Sequence, residues 1–220
     1  MNSLILFAQV AAEPAVSESW LSFYLEACGW FFGPLFVFIS IVFVTLAIMN
    51  WLAISRNAIV PPDMFEQFRE KWDAKEFQEA YKIAKNSDSS LGKILTVGLV
   101  QVSGKNVAAA EQSMKDAAEE EVMALEHRLS YLGTIASVAP MVGLLGTVWG
   151  MIDAFSVIAA TGAPQASDLA RGISRALVTT QLGLLIAIPA LVLFEVFKTR
   201  LARFVFELSL QMESIVNRFK

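Results

Sequence analysis

Side chains able to do chemistry stand in two largely apolar stretches. Thr147 and Asp153 lie in GLLGTVWGMIDAF, residues Gly143 to Phe155, and Arg175, Thr180 and Glu195 lie in RGISRALVTTQLGLLIAIPALVLFEVF, with Thr179 beside Thr180. A hydroxyl can hydrogen-bond a proton-bearing group, and a carboxylate and a guanidinium can pair. Little else is available. His127 is the only histidine and Cys28 the only cysteine, so one chain offers no histidine-centred triad, no internal disulfide and no cysteine zinc cage. The glycines of GLLGTVWG have helix-packing spacing, and no strand precedes them as a phosphate-cradling loop needs. This chemistry is proton bonding and charge placement, not enzymatic turnover, and no metal or cofactor is expected.

The elements holding these residues must cross a membrane. The chain has 220 residues, 55% hydrophobic and 17% charged, with 16 Phe. Soluble domains are usually nearer a quarter charged. Net charge is −4 and no basic stripe occurs, which excludes a nucleic-acid binder. Three runs carry no charge: Ala27 to Ser55, Leu129 to Ile152 and Ala176 to Phe194. About 20 apolar residues at roughly 1.5 Å each cross the hydrocarbon core. The opening MNSLILFAQVAAEPA has no Lys or Arg before its short apolar run and is not read as a cleaved signal.

Lys and Arg set the direction. Residues 1–30 have none, residues 56–128 hold ten and the tail from Lys198 to Lys220 holds five. The positive-inside rule places the N-terminus outside and the 55–128 segment and C-terminus inside. The expected layout is all-α and polytopic. Residues 1–30 form an outer N-terminus with an interfacial helix in SESWLSFYLEACGW, carrying Trp20, Tyr24 and Trp30 and capped by Ser17 or Ser19. The spans are 31–54, 129–160 and 171–197, with a cytoplasmic helical domain at 55–128, an outer loop at 161–170 and an inner helix at 198–220. Within the inner domain, Phe65, Phe68 and Trp72 share one helix face, and Phe77, Tyr81 and Ala84 share another. NSDSS reads as a break and cap, and EEE at 119–121 as a solvated face. The second and third spans continue as long helices into the cytoplasmic domain, since no breaker intervenes.

Small residues line one face of each later span: Gly143, Thr147, Gly150 and Ala154 on the second, and Gly172, Ala176, Thr180, Gly183, Ala187 and Ala190 on the third. Such faces let backbones approach closely in membranes. A threonine can instead satisfy itself on a carbonyl one turn back. Setting the spans antiparallel with Thr147 level with Thr180 brings Asp153 near the depth of Ser174 and Arg175, and Glu195 near Leu132 and one turn from Arg128. Intramembrane charges cost roughly 2.5–3.5 kcal/mol each, so they face partners.

GLLGTVWGMIDAF together with RGISRALVTTQLGLLIAIPALVLFEVF resembles the ExbB/TolQ/MotA family of ion-channel motor subunits, and looks closest to its ExbB branch. The resemblance covers the second and third spans in motif detail and the whole chain in layout. It implies a homopentamer in the bacterial inner membrane whose second and third spans surround the single spans of an ExbD-like partner. That partner supplies a proton-carrying aspartate, and a TonB-like protein passes the work to the outer membrane. On this sequence the resemblance makes Thr147 and Thr180 the hydroxyls facing the partner acid. The transported ion follows as H⁺, with Na⁺ the alternative.

Two positions depart from the family pattern. Similar sequences commonly carry a glutamate where this one has Arg175, and an asparagine where it has Glu195. Arg175 raises a barrier to cations unless neutralised; Asp153 is the expected mate. Glu195 is read either as an inner relay point or as an ion-pair partner of Arg128. Other readings are a TolQ-like or MotA-like motor with different cargo, and a non-conducting helical scaffold. A four-span MotA layout fits the three runs less well.

Overall fold

The chain is described by a computed structural model over residues 20–102, 107–161 and 166–219, where every regular element is an α-helix. The expected Ser17 or Ser19 cap and part of the 161–170 loop fall outside those residues.

The first helix, α1 (Trp20–Ala53), is two helices in sequence, because Gly29 adopts φ 63° and ψ −178° and breaks the hydrogen-bond ladder. That region of backbone space is open essentially to glycine alone. Most of the residues expected to form an interfacial piece precede the break, and most of the first apolar span follows it. Around the break Cys28, Phe32 and Phe36 pack against Val178.

Three residues after Ala53 a run of short helices begins. The single turn α2 (Arg56–Ile59) is capped by Ser55, whose hydroxyl accepts from the Ala58 N–H at 3.3 Å. Helix α3 (Pro62–Asp73) starts on a proline, whose missing N–H costs nothing at a helix start. Lys75, at φ 62°, turns the chain into α4 (Phe77–Lys85). Ser89 then caps α5 (Ser90–Val102) by accepting from the Gly92 N–H at 3.1 Å, as NSDSS suggested.

In this domain Phe68 is buried and stacks on Trp72 at 6.0 Å between ring centroids. The second expected face is corrected. Ala80 and Ala84 are fully buried while Phe77 is exposed and meets the Trp72 edge. The reason is a close α4–α5 approach: a side chain at Gly92 would lie 2.8 Å from the Ala84 carbonyl oxygen, leaving no room for rings. The acidic run also does more than face water. Glu121 accepts from Ser90 Oγ at 3.0 Å and Lys93 Nζ at 2.8 Å, tying α5 to the next helix.

Helices α6 (Val107–Thr161) and α7 (Ala166–Phe219) run 55 and 54 residues without interruption, despite Pro140 and Pro189 inside them. Each is about 80 Å long at 1.5 Å per residue. Three helices are therefore long and apolar enough to cross a membrane, within Ala27–Ala53, Ala108–Ala159 and Gly172–Ile215. One continuous core joins the two parts, from Phe68, Leu91 and Ile94 in the short helices to Leu132, Ala190 and Phe197 in the long ones. Outside that core the spans present large apolar side chains, among them Met141, Leu145, Leu185 and Ile188. A water-soluble monomer would not expose such a surface, whereas lipid and neighbouring helices tolerate it.

Candidate functional site

The small-residue faces of α6 and α7 are turned on each other. A Cβ added at Gly143 would lie 2.9 Å from the Thr179 carbonyl oxygen, one at Gly183 2.6 Å from that of Ala139, and one at Gly172 2.6 Å from Ala154 Cβ. Gly150 abuts Ala176 at 3.0 Å, and Gly133 abuts the Phe194 ring. These pairs set α6 and α7 antiparallel, with Gly150 opposite Ala176 and Gly172 opposite Ala154. Ala154, Ala176, Ala187 and Ala190 are all buried. The room made by these residues is thus occupied by the chain's own helix, so any foreign helix must approach along another side. Gly146, not singled out from the sequence, belongs to the seam as well: its missing Cβ would meet Thr179 Oγ1 at 2.5 Å. Its place three residues after Gly143 was the signal.

The three threonines differ. Thr147 is half-buried at the flank of the seam, and its hydroxyl donates to the Leu144 carbonyl at 2.7 Å. Thr179 is buried; its hydroxyl donates to the Ala176 carbonyl at 2.7 Å and lies 3.2 Å from the Gly143 carbonyl across the seam. Thr180 Oγ1 is buried and has no hydrogen-bond partner within the chain. That is unusual here. Thr45, Thr134 and Thr199 each donate to the carbonyl four residues back. A buried polar group left unpaired costs about 1–3 kcal/mol.

The charges are placed unequally. Asp153 and Arg175 line one cavity together with Gly29, Trp30, Trp149 and Thr179. Glu195 is exposed on α7, and no salt bridge joins it to Arg128 among the described residues. Arg128 is likewise exposed, so both side chains are open to partners outside the chain. At the same inner level His127 Nε2 and the Tyr131 hydroxyl stand 3.0 Å apart, also exposed. The Tyr24 hydroxyl donates to Gln181 Oε1 at 3.3 Å, pinning the piece before the α1 break to α7. No group of acids, cysteines or histidine among the described residues is arranged to hold a metal.

The arrangement therefore offers a close two-helix seam with one unmet hydroxyl, and a charged recess beside it. Known proteins share this segment. Residues 86–209, more than half of the chain, match the sequence profile of the MotA/TolQ/ExbB proton channel family. The Tol-Pal system protein TolQ of Haemophilus influenzae is 30% identical over 175 residues, covering 71% of this chain and 76% of that one. The biopolymer transport protein ExbB of Pseudomonas putida is 44% identical over 90 residues, covering 40% of this chain and 27% of its own length. ExbB of Salmonella typhimurium is 42% identical over 74 residues, 34% of this chain and 30% of that protein. Both the matched segment and the paired spans it encodes lead to one assignment: the chain belongs to the MotA/TolQ/ExbB proton channel family.

Proposed function

We propose that the chain is the stator-like subunit of an inner-membrane motor, in which several copies, five by the family resemblance, enclose the single spans of an ExbD-like partner. The N-terminus faces the periplasm and the C-terminus the cytoplasm. Protons pass by way of the partner's acid, and the resulting motion does work on a TonB-like protein at the outer membrane. The observation that supports this reading most directly is Thr180 Oγ1, buried at mid-span without a partner while other span threonines are satisfied. An acid delivered beside it gains a hydrogen bond, in its protonated form as acceptor and in its ionised form more strongly. Thr147 and Thr179 stand at the same level and complete a hydroxyl layer. Asp153 and Arg175 share a cavity without a direct salt bridge between them, close enough in depth for the acid to moderate the cation's field, and Glu195 offers a titratable group on the inner side.

A TolQ-like role is the second reading, favoured by one observation: the TolQ match spans 71% of the chain, whereas the ExbB match, though stronger in identity, spans 40%. The cargo differs while the proton chemistry does not. The test co-expresses the chain with a partner bearing one span and a membrane aspartate, purifies the assembly into liposomes and measures acid-driven proton uptake. Wild type is expected to conduct, and Thr180→Val is expected to assemble normally but not to conduct. Equal conduction by both removes the hydroxyl role; absence of conduction by either, with the partner bound, leaves the scaffold reading in its place. Rescue of TonB-dependent uptake or of Tol-Pal envelope integrity in strains lacking ExbB or TolQ then assigns the cargo.

A further inference from the structure

Between the break in α1 and the α6/α7 pair lies a cavity of about 290 Å³. At about 30 Å³ per molecule it has room for on the order of ten waters. Gly29, Trp30 and Phe31 form one wall, Trp149 and Asp153 a second, and Arg175 closes a third. Trp30 is 89% and Trp149 67% exposed, and a Cβ at Gly29 would meet nothing within 4 Å. The recess is therefore open to its surroundings.

Its depth is fixed by the sequence. The run beginning at Ala27 follows Glu26, the run beginning at Leu129 ends at Asp153, and the run beginning at Ala176 follows Arg175. All three charge-free stretches thus end at this cavity, which puts it where hydrocarbon gives way to head groups. Exposed tryptophans gather at that level.

Among the described residues the recess is lined by one carboxylate and one guanidinium, a balanced pair of formal charges. Arginine's planar fork suits phosphate oxygens, and a carboxylate accepts hydrogen bonds from an ammonium. The geometry points to a phospholipid head-group site for a zwitterionic lipid with a phosphodiester and a primary ammonium. The phosphate lies against Arg175, the ammonium against Asp153, and the acyl chains leave along Trp30, Phe31 and Trp149. An anionic head group could also place its phosphate against Arg175 but would set its excess negative charge facing Asp153. A site of this kind seats a structural lipid at the joint where α1 meets the conducting helices. It rests on the membrane-spanning architecture, not on proton conduction.

The full-length chain, purified and delipidated in detergent, is titrated with phosphatidylethanolamine and with phosphatidylglycerol of identical acyl chains and read by native mass spectrometry. Wild type is expected to retain one phosphatidylethanolamine per chain at least tenfold more strongly than phosphatidylglycerol. Arg175→Gln is expected to weaken retention of both by at least tenfold. Asp153→Asn is expected to bring phosphatidylglycerol level with phosphatidylethanolamine or above it. Where Arg175→Gln does not fold, Asp153→Asn alone decides, because its signature is a changed preference rather than a loss. Equal binding of the two lipids by wild type, a wild-type preference for phosphatidylglycerol, or a preference unmoved by Asp153→Asn overturns the proposal.

Discussion

The Thr179 hydroxyl lies 3.2 Å from the Gly143 carbonyl, on the opposite helix of the seam. Contact of that kind between a side chain and a facing backbone is open only because Gly143 and Gly146 carry no side chain there. The α6/α7 pair is thus held at near-minimal separation at the depth where the other two threonines stand.

Widening the seam should cost stability. Gly143→Ala and Gly183→Ala each push a methyl against backbone oxygen at under 3 Å, which the main chain of a 55-residue helix cannot easily yield. Overpacking typically costs about 1–3 kcal/mol. A lowered melting temperature in detergent is the expected outcome; an unchanged one would show that the helices part freely.

The neighbouring threonines should behave oppositely when changed to valine. Thr179→Val removes a donated hydrogen bond and is expected to destabilise the chain by about 0.5–1.5 kcal/mol. Thr180→Val removes a hydroxyl that has no partner in the chain, so stability is expected to hold or rise. Thermal unfolding of the two variants side by side checks the sign of each.

Gly29→Ala forces a side chain into backbone space reserved for glycine, at a cost of about 1–3 kcal/mol. The substituent itself meets open space, so the strain alone acts. The expected result is a lowered melting temperature and loss of the Tyr24–Gln181 hydrogen bond, visible as a matching loss from Tyr24→Phe that no longer adds to it.

Glu121 holds two donors of α5 at once, so Glu121→Ala should loosen α5 from α6. The loss is expected to exceed that of Glu119→Ala. Faster amide hydrogen exchange in Ser90–Val102, without change in the spans, is the check.

Acid and alkali should act on the short helices at opposite ends of the pH scale. A hydrogen bond from Lys82, then its charge, holds the Glu79 carboxyl below its usual value of about 4.3. Its contribution is present above that value and is lost as pH falls through the folded pKa. A hydrogen bond to Glu76, then its charge, holds Lys71 above its usual value of about 10.4. Its contribution is complete below that value and is lost as pH rises through the folded pKa. Between those limits the two pairs give no pH dependence, and because they are exposed, salt should weaken both. Melting curves at several pH values test this.

Much of this was legible in advance because membrane crossing leaves a coarse signature. The charge-free runs marked the spans, and the lack of breakers around Arg128 and Lys198 foretold the continuous helices. Gly29 was harder: nothing in ACGW distinguishes a hinge from a packing glycine until the dihedral is known. Small residues marked α6 and α7 as partners, but periodicity cannot say whether the occupant of a thinned face is the same chain or another. Phe77 misled for a related reason. A helix face is ranked by its largest apolar residues, whereas the tight α4–α5 approach selected alanines. Hydrogen-bond status was illegible altogether. Thr179 and Thr180 are neighbours of one type, and only their rotation about the helix axis separates a satisfied hydroxyl from an orphaned one.

Because α6 and α7 each run on from the apolar spans alongside the short helices without a break, displacement meets no joint within those two helices that could absorb it. A tilt imposed near Thr180 becomes a proportionally larger sweep at the distal ends, as a crowbar magnifies a short stroke at its fulcrum. Displacement within the spans is felt among the short helices by construction.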